Sequence, residues 1–165
     1  MSAFSSVELK RPAWQTAVIF TLAFWLSASL ILDLVIMPGL YASGMMSQAG
    51  FASAGYLIFW FFNRIELLCA ALVMTGVLVL DRIHFLAGSK SRTAIFLSFI
   101  LLTLALVYTY ALTPEMSALG LNLNLFDPVT EVPGKMSALH ESYWVMEVIK
   151  LVTGCGILSL CYRKQ

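Results

Sequence analysis

Four long runs of apolar residues dominate the chain and limit what it can fold into. They cover about residues 14–37, 56–80, 93–112 and 139–161. Each run approaches or exceeds the roughly 20 residues that a helix needs to cross a bilayer. Every backbone N–H and C=O in hydrocarbon needs an internal partner, so each run should be helical. The sequence therefore predicts an all-α, four-helix transmembrane bundle, with residues 1–165 forming a single membrane domain.

The composition supports a membrane protein and argues against several other classes. Hydrophobic residues make up 60% of the chain and charged residues 12%, about half the usual soluble share of roughly 25%. The formal net charge of +1 is too small for a typical nucleic-acid binder, so no nucleic-acid partner is expected. The three cysteines stand apart in apolar runs without a C-x-x-C pair, which predicts buried thiols rather than disulfides or a thiolate metal site.

The ends of the runs predict how the chain crosses the membrane. The first run is longer than the roughly 7–15 apolar residues of a signal peptide, so it should be a retained span. Pro38-Gly39 should end the first helix and Thr113-Pro114 the third, because proline lacks a backbone donor and disfavours helix in the residue before it.

Basic residues concentrate at the two termini and in the loop between the second and third runs. These residues are Lys10, Arg11, Arg82, Lys90, Arg92, Arg163 and Lys164. The other two loops carry Glu115, Asp127 and Glu131, with Lys135 as their single basic residue. The positive-inside rule therefore predicts that both termini lie in the cytoplasm, the N-in/C-in arrangement.

Five charged residues lie inside the predicted spans, away from their ends: Asp33, Arg64, Glu66, Glu147 and Lys150. Such groups cost several kcal/mol in a bilayer unless they are paired or hydrated, so each one is a functional hypothesis. At about 1.5 Å per residue from the predicted outer ends, Asp33 would lie roughly 7 Å deep and Lys150 roughly 16 Å. Arg64 and Glu147 would lie at about 12 Å. Side chains from three helices could therefore meet at a similar depth in the membrane.

Helical spacing predicts which of these side chains face each other. His140, Tyr143, Glu147 and Lys150 share one face of the fourth helix, and Asn63 and Glu66 share one face of the second. Arg64 points elsewhere and should snorkel or pair with Asp33, while Thr103, Tyr110 and Thr113 form a hydroxyl stripe on the third helix. We expect an intramembrane polar cluster of Asp33, Asn63, Arg64, Glu66, His140, Tyr143, Glu147 and Lys150.

Two interpretations of this cluster stay open. Internal ion pairs could serve only to fix how the helices pack. Alternatively, three carboxylates against two cations leave one carboxylate in excess, which calls for a proton, water or a foreign cation. No nucleophile elbow, P-loop, dinucleotide fingerprint or H-E-x-x-H motif occurs, so the sequence assigns no catalytic residue and no enzymatic chemistry.

The sequence contains little that indicates a bound cofactor. His140 could ligate haem or chlorophyll, but a single histidine is a poor metal site and haem needs a deep apolar pocket. Six methionines near the predicted outer side could suit Cu(I), although methionine is more often a gap-filler. These are Met37, Met45, Met46, Met116, Met136 and Met146. We expect no cofactor and assign no metal.

Short motifs at the ends of the runs resemble a known family. They are Met37-Pro38-Gly39-Leu40-Tyr41, Thr113-Pro114-Glu115-Met116, Leu139-His140 and, on the second run, Asn63-Arg64-Ile65-Glu66. Together they are similar to the small four-helix membrane proteins grouped with transmembrane protein 205, a domain-of-unknown-function family, in its bacterial branch. The resemblance covers most of the chain. It implies the four-helix fold, a bacterial cytoplasmic membrane or a thylakoid membrane, and the handling of small solutes or metals without a mechanism.

Three functions follow from these observations. The first is an accessory or assembly subunit of a membrane complex, since the chain is small and lacks catalytic motifs; its partners would be lipid and other membrane subunits or further copies of itself. The second is a transport or permeation module for a small solute, proton or cation, using the charged residues. The third is a haem- or pigment-binding bundle.

Overall fold

The computed structural model describes residues 12–45, 50–86, 88–126 and 134–162. All regular secondary structure in these ranges is helical. The α-helices are α1 (Ala13–Ile31), α2 (Met37–Ala42), α3 (Phe51–Arg82), α4 (Ser89–Val107), α5 (Thr113–Phe126) and α6 (Gly134–Tyr162). Several charges and one methionine used above lie outside the described residues, namely Lys10, Arg11, Met46, Asp127, Glu131, Arg163 and Lys164.

Four helical stretches are long and apolar enough to cross a membrane, as the sequence predicts. These spans cover Ala13–Ala42, Ser53–Arg82, Ser89–Gly120 and Gly134–Tyr162. Their surfaces match a lipid solvent, because large apolar side chains such as Phe20, Leu68 and Val152 are exposed. A surface that apolar would be an aggregation hazard in water. The first and third spans extend well beyond the predicted residues 14–37 and 93–112.

Two prolines explain the extra length, and the expectation that they end helices is wrong. A five-residue π-helical turn, Leu32–Ile36, joins α1 to α2 just before Met37-Pro38, and a second, Tyr108–Leu112, joins α4 to α5 just before Thr113-Pro114. In a regular α-helix a proline ring clashes with the carbonyl four residues earlier. The wider π-turn gives that carbonyl room, so each helix continues through its proline instead of stopping.

The four spans pack as an antiparallel bundle with two distinguishable ends. Gln15 near the start of the first span donates its Nε2 hydrogen bond to the Cys161 carbonyl near the end of the fourth, at 2.6 Å. We call this end, with Ala13, Arg82, Ser89 and Tyr162, the termini end. The opposite end, with Pro38 and Pro114, is the proline end.

The half of the bundle next to the termini end is filled mainly by apolar side chains. Its fully buried members include Val18, Leu22, Val73, Val77, Leu80, Ala94, Leu101 and Ile157. Small residues let the spans approach closely here, as is usual in membrane bundles. A Cβ atom added to Gly154 would lie 2.8 Å from Leu26 Cδ2, so the fourth span touches the first through a glycine.

A buried charged cluster as the candidate functional site

The middle of the bundle and its proline half hold buried charged groups instead of an apolar core. Asp33, Glu66, Glu147 and Lys150 are each 1–5% exposed, and we call these four residues the charged cluster. Tyr143, Glu147 and Lys150 share a face of α6 because they lie four and three residues apart. Asp33 comes from the π-turn of the first span, and Glu66 from α3. Three spans thus supply the four ionisable side chains.

Lys150 is the centre of this cluster. Its ammonium Nζ lies 2.5 Å from Glu66 Oε1 and 2.7 Å from Glu147 Oε2. It also lies 5.3 Å from the centre of the Tyr108 ring. The lysine therefore bridges two carboxylates that belong to different spans. Both ion pairs are screened from solvent, so removing either partner would leave a costly buried charge.

Glu66 is the most fully hydrogen-bonded carboxylate of the cluster. Besides Lys150, its Oε1 accepts a hydrogen bond from Trp25 Nε1 at 2.8 Å and one from Ser29 Oγ at 3.3 Å. Trp25 and Ser29 lie one turn apart on α1, so a single face of that helix supplies both donors. Three donors therefore converge on one oxygen of Glu66, two of them from α1 and one from α6.

Glu147 is held differently, because its two oxygens have unequal surroundings. Oε2 takes the Lys150 contact and accepts a hydrogen bond from the Tyr108 hydroxyl at 3.2 Å. Oε1 is buried and accepts no hydrogen bond from the described part of the chain. A buried polar atom without a partner costs about 1–3 kcal/mol. The Oε1 atom of Glu147 can therefore still accept a hydrogen bond.

Two tyrosines extend the cluster toward the proline end. The Tyr143 hydroxyl donates a hydrogen bond of 2.6 Å to Asp33 Oδ1, and the rings of Tyr143 and Tyr108 lie 5.4 Å apart. Tyr108 in turn reaches Glu147. Asp33, at the edge of the cluster, is thus connected to Glu147 through two packed aromatic side chains.

Asn63 connects the second span to the π-turn of the third. Its Nδ2 donates to the Tyr108 carbonyl at 3.2 Å and to Thr113 Oγ1 at 2.7 Å. The Tyr108 carbonyl also accepts the Thr113 backbone N–H across the π-turn. Asn63 therefore fixes the segment that carries the Tyr108 side chain.

Six of the eight predicted site residues lie in the interior or at its edge, and two do not. Arg64 is exposed: its Nη1 donates to the Trp60 carbonyl at 3.2 Å and its guanidinium carbon lies 3.4 Å from the centre of the Trp60 ring. Of the two alternatives predicted for Arg64, pairing with Asp33 is therefore not found, and the side chain points toward the proline end as snorkelling would require. His140 is also exposed, with Nδ1 at 2.9 Å from the Met136 carbonyl, so no enclosed pocket surrounds it.

The hydroxyl stripe predicted for the third span is only partly correct. Thr103 and Tyr110 are exposed, and the Thr103 hydroxyl donates a hydrogen bond to the Phe99 carbonyl in the same helix. Thr113 does reach the interior through Asn63. The hydroxyl that actually joins the cluster belongs to Tyr108, which continues the regular spacing of the buried Leu101 and Ala105 and so lies on a different face from Thr103 and Tyr110.

Trp25 and Ser29 were missed as well, although the sequence carried a signal for them. Trp25, Ser29 and Asp33 are spaced four residues apart, which places one indole, one hydroxyl and one carboxylate on the same side of the first span. With Arg64 outside, the charged cluster holds three carboxyl groups and one ammonium. The imbalance is therefore larger than the sequence suggested.

Metal binding finds no support in this arrangement. Within the described ranges, no group of three or more His, Cys, Asp or Glu side chains is placed to hold a metal ion. Moreover, the Lys150 ammonium already occupies the position between Glu66 and Glu147 that a cation would take.

Comparison of the chain with protein-family models, with curated proteins and with solved structures finds no match. The resemblance to the transmembrane protein 205 group therefore stays a prediction.

Proposed function

We propose that this chain is a proton-coupled transport or permeation module for a small solute, and that the charged cluster is its proton-binding site. The observation that carries the proposal is the surplus of buried carboxyl groups around one ammonium, with one Glu147 oxygen unpartnered. A cluster whose purpose is only to join helices needs one anion for each cation. Here Glu66 and Glu147 share one ammonium, and within the described residues Asp33 has no cation within 4.0 Å, so the cluster has the capacity to take up protons.

A proton is the ligand that best fits this surplus. Ionised carboxylates in a low-dielectric interior are costly unless they are paired or protonated. Lys150 fills the space between Glu66 and Glu147 that a metal ion would need, whereas a proton needs only an oxygen. Glu147 Oε1 supplies one, and Asp33 at the end of the two-tyrosine connection supplies another.

The apolar half of the bundle supports a one-sided site. Between the cluster and the termini end lie fully buried side chains such as Val73, Val77 and Leu101. Proton exchange in this conformation would therefore run toward the proline end, past Tyr143 and Asp33. Movement to the other side would require a second arrangement of the spans, which is the general requirement of alternating access.

The proposed topology places both termini in the cytoplasm of a bacterial cell, so that the proline end faces outward. Support comes from Arg82, Lys90 and Arg92 at the termini end, and from Lys10 and Arg11, which precede the first span in the sequence. Their excess over the other side follows the positive-inside rule.

Infrared spectroscopy of the purified protein in nanodiscs tests the proton-binding site directly. We expect a C=O stretching band of a protonated carboxyl group that disappears as the pH is raised. The band should be altered or lost in Glu147→Gln and kept in Glu115→Gln, which removes an exposed carboxyl group on α5. A wild-type spectrum without such a band at any pH would overturn the proposal.

Transport itself is tested in proteoliposomes that contain a pH-sensitive dye. A panel of small organic solutes is added outside, and solute-dependent proton movement is recorded for wild type, Glu147→Gln and Glu115→Gln. We expect movement with at least one solute in wild type and in Glu115→Gln, and none in Glu147→Gln. Equal traces for all three proteins would contradict coupling through the cluster.

The accessory-subunit hypothesis stays a prediction with its own measurement. Gentle detergent extraction of a tagged chain would retain a stoichiometric partner if the chain works as a subunit. A single monodisperse species that still shows the infrared band would favour the transport proposal over it.

A further inference from the structure

A groove with both polar and apolar walls lies between the second and third spans, with Asn63 among its lining residues. Its volume is about 200 Å³, and its walls include Trp60, Arg64, Thr109, Tyr110 and Thr113. Arg64 and Tyr110 are exposed on the outer surface of the bundle. The groove is therefore open to whatever surrounds the protein, which for a membrane span is lipid.

Arg64 gives the groove a positive charge that the protein does not balance. Within the described ranges the two ion pairs both involve Lys150, and no carboxylate lies within 4.0 Å of the Arg64 guanidinium. One of its donors is used by the Trp60 carbonyl. A guanidinium has five N–H donors in a planar fork, so most of them remain for an external acceptor.

With Arg82 taken as the opposite boundary of the hydrocarbon, the guanidinium lies near the phosphate level of a bilayer, at less depth than the roughly 12 Å counted from the predicted start of the second run. Arg64 lies 18 residues from Arg82 at the other end of the same helix, or about 27 Å at 1.5 Å per residue. Its side chain reaches a further turn toward the proline end, where it stacks on Trp60. The hydrocarbon core of a bilayer is about 30 Å thick, so the guanidinium lies near its edge. Trp and Tyr residues concentrate at that level.

Hydroxyl groups complete a donor set for a phosphate. Thr113 Oγ1 accepts the Asn63 amide hydrogen bond, which orients the hydroxyl and leaves its own proton to donate. The exposed Tyr110 hydroxyl borders the same groove. Arginine is the preferred residue for bidentate phosphate recognition, because its fork matches two phosphate oxygens.

We infer that this groove binds the phosphate of an anionic phospholipid, with Arg64 as its main contact. The uncompensated charge favours a lipid with net negative charge over a zwitterionic one. In the proposed topology the lipid belongs to the extracytoplasmic leaflet. The inference does not rest on proton coupling by the charged cluster.

Native mass spectrometry of the delipidated protein tests the site. Phosphatidylglycerol, phosphatidylcholine and inorganic phosphate are titrated separately onto wild type, Arg64→Gln, Arg64→Lys and Arg82→Gln. We expect one phosphatidylglycerol per chain in wild type, bound about tenfold or more tightly than in Arg64→Gln, because charge-assisted hydrogen bonds contribute enough for that ratio. Arg64→Lys should be intermediate, since lysine keeps the charge and loses the fork.

Arg82→Gln is the matched control, because it removes an exposed arginine from the far end of the same helix. Circular dichroism should show unchanged helix content in all variants, since Arg64 makes no buried contact. Equal phosphatidylglycerol binding by wild type and Arg64→Gln would overturn the inference. So would equal binding of both lipids, or binding of inorganic phosphate without the lipid.

Discussion

In the termini half of the bundle, Val73, Val77 and Leu101 are fully buried among other apolar side chains, whereas in the middle of the same bundle Lys150 and Glu66 are just as buried. Helices in lipid gain little from burying apolar surface, because lipid tails are as apolar as leucine. The apolar half is therefore held by close packing through small residues. The polar half is held by hydrogen bonds and ion pairs, which cannot be exchanged for lipid contacts.

Because of this difference, substitutions in the two halves should destabilise the protein for different reasons. A lost methyl group in the apolar half leaves a gap that neighbours can partly fill. A lost partner in the polar half leaves a buried charge with nothing to neutralise it except a proton. Substitutions in the two halves therefore test whether the contrast is real.

The largest effect is expected for Lys150→Met. Removing the ammonium leaves Glu66 and Glu147 facing each other across two spans, and breaking a buried pair in this way costs about 3–5 kcal/mol. The free energy of unfolding is measured by denaturant titration in detergent micelles. Lys135→Met, an exposed lysine on the same helix, is the control and should change stability by less than about 0.5 kcal/mol. Adding Glu66→Gln and Glu147→Gln to Lys150→Met should restore most of the loss.

Tyr143→Phe should come next in size. It removes the 2.6 Å hydrogen bond to Asp33 while keeping the aromatic ring, and a hydrogen bond to a charged group contributes about 1.5–3 kcal/mol. The same unfolding titration measures the loss. Tyr110→Phe removes an exposed hydroxyl from the third span and should leave unfolding unchanged. Equal losses for the two variants would mean that Asp33 does not depend on this contact.

Gly154→Ala tests the packing between spans directly. The new Cβ would meet Leu26 Cδ2 at 2.8 Å, and overpacking costs about 1–3 kcal/mol. Alanine recovers up to about 1 kcal/mol through its better helix propensity, so a net loss of about 1 kcal/mol is expected. Gly55→Ala, where the added Cβ has open space around it, should be neutral or stabilising. A thermal melt of both variants in the same detergent decides between these outcomes.

The smallest effect is expected for Thr103→Val. Its hydroxyl faces outward and only returns to its own helix, so unfolding should change by less than about 0.5 kcal/mol. Thr113→Val should lose about 0.5–1.5 kcal/mol, because it removes the acceptor of the Asn63 amide. Denaturant titration of the pair would contradict the assignment of the third span's buried face if Thr103→Val were the worse variant.

The sequence predicted most of the fold, because the length of an apolar run and the need for internal backbone hydrogen bonds leave few alternatives. It also placed Glu66, Glu147 and Lys150 together, since spacings of three and four residues on regular α-helices are reliable. The prolines were read wrongly for a local reason. A π-turn before a proline relieves the steric clash that would otherwise end the helix. The composition of Leu32–Ile36 and of Tyr108–Leu112 does not predict a π-turn.

Arg64 was misplaced for a different reason. Opposite charges at similar depth left a pair with Asp33 or snorkelling as the alternatives. The arginine side chain is long enough to leave the interior and stack on Trp60, where hydration and an aromatic ring replace the carboxylate. Trp25 shows the reverse case. An indole in an apolar run looks like packing, although its four-residue spacing with Ser29 and Asp33 marks a polar face, and the position of Glu66 opposite its N–H shows it to be a donor.

The two π-turns have a mechanical consequence for the charged cluster. A turn of this kind carries one residue more than a regular α-helix requires. Its conversion to α geometry would therefore rotate the adjoining part of the span about the helix axis by about 100°. Asp33 lies within one such turn and Tyr108 begins the other. A change of helical pitch at either place would rotate a cluster side chain away from its partners and would restore the proline clash that the π-turn relieves, so the two prolines hold Asp33 and Tyr108 in their places in the cluster.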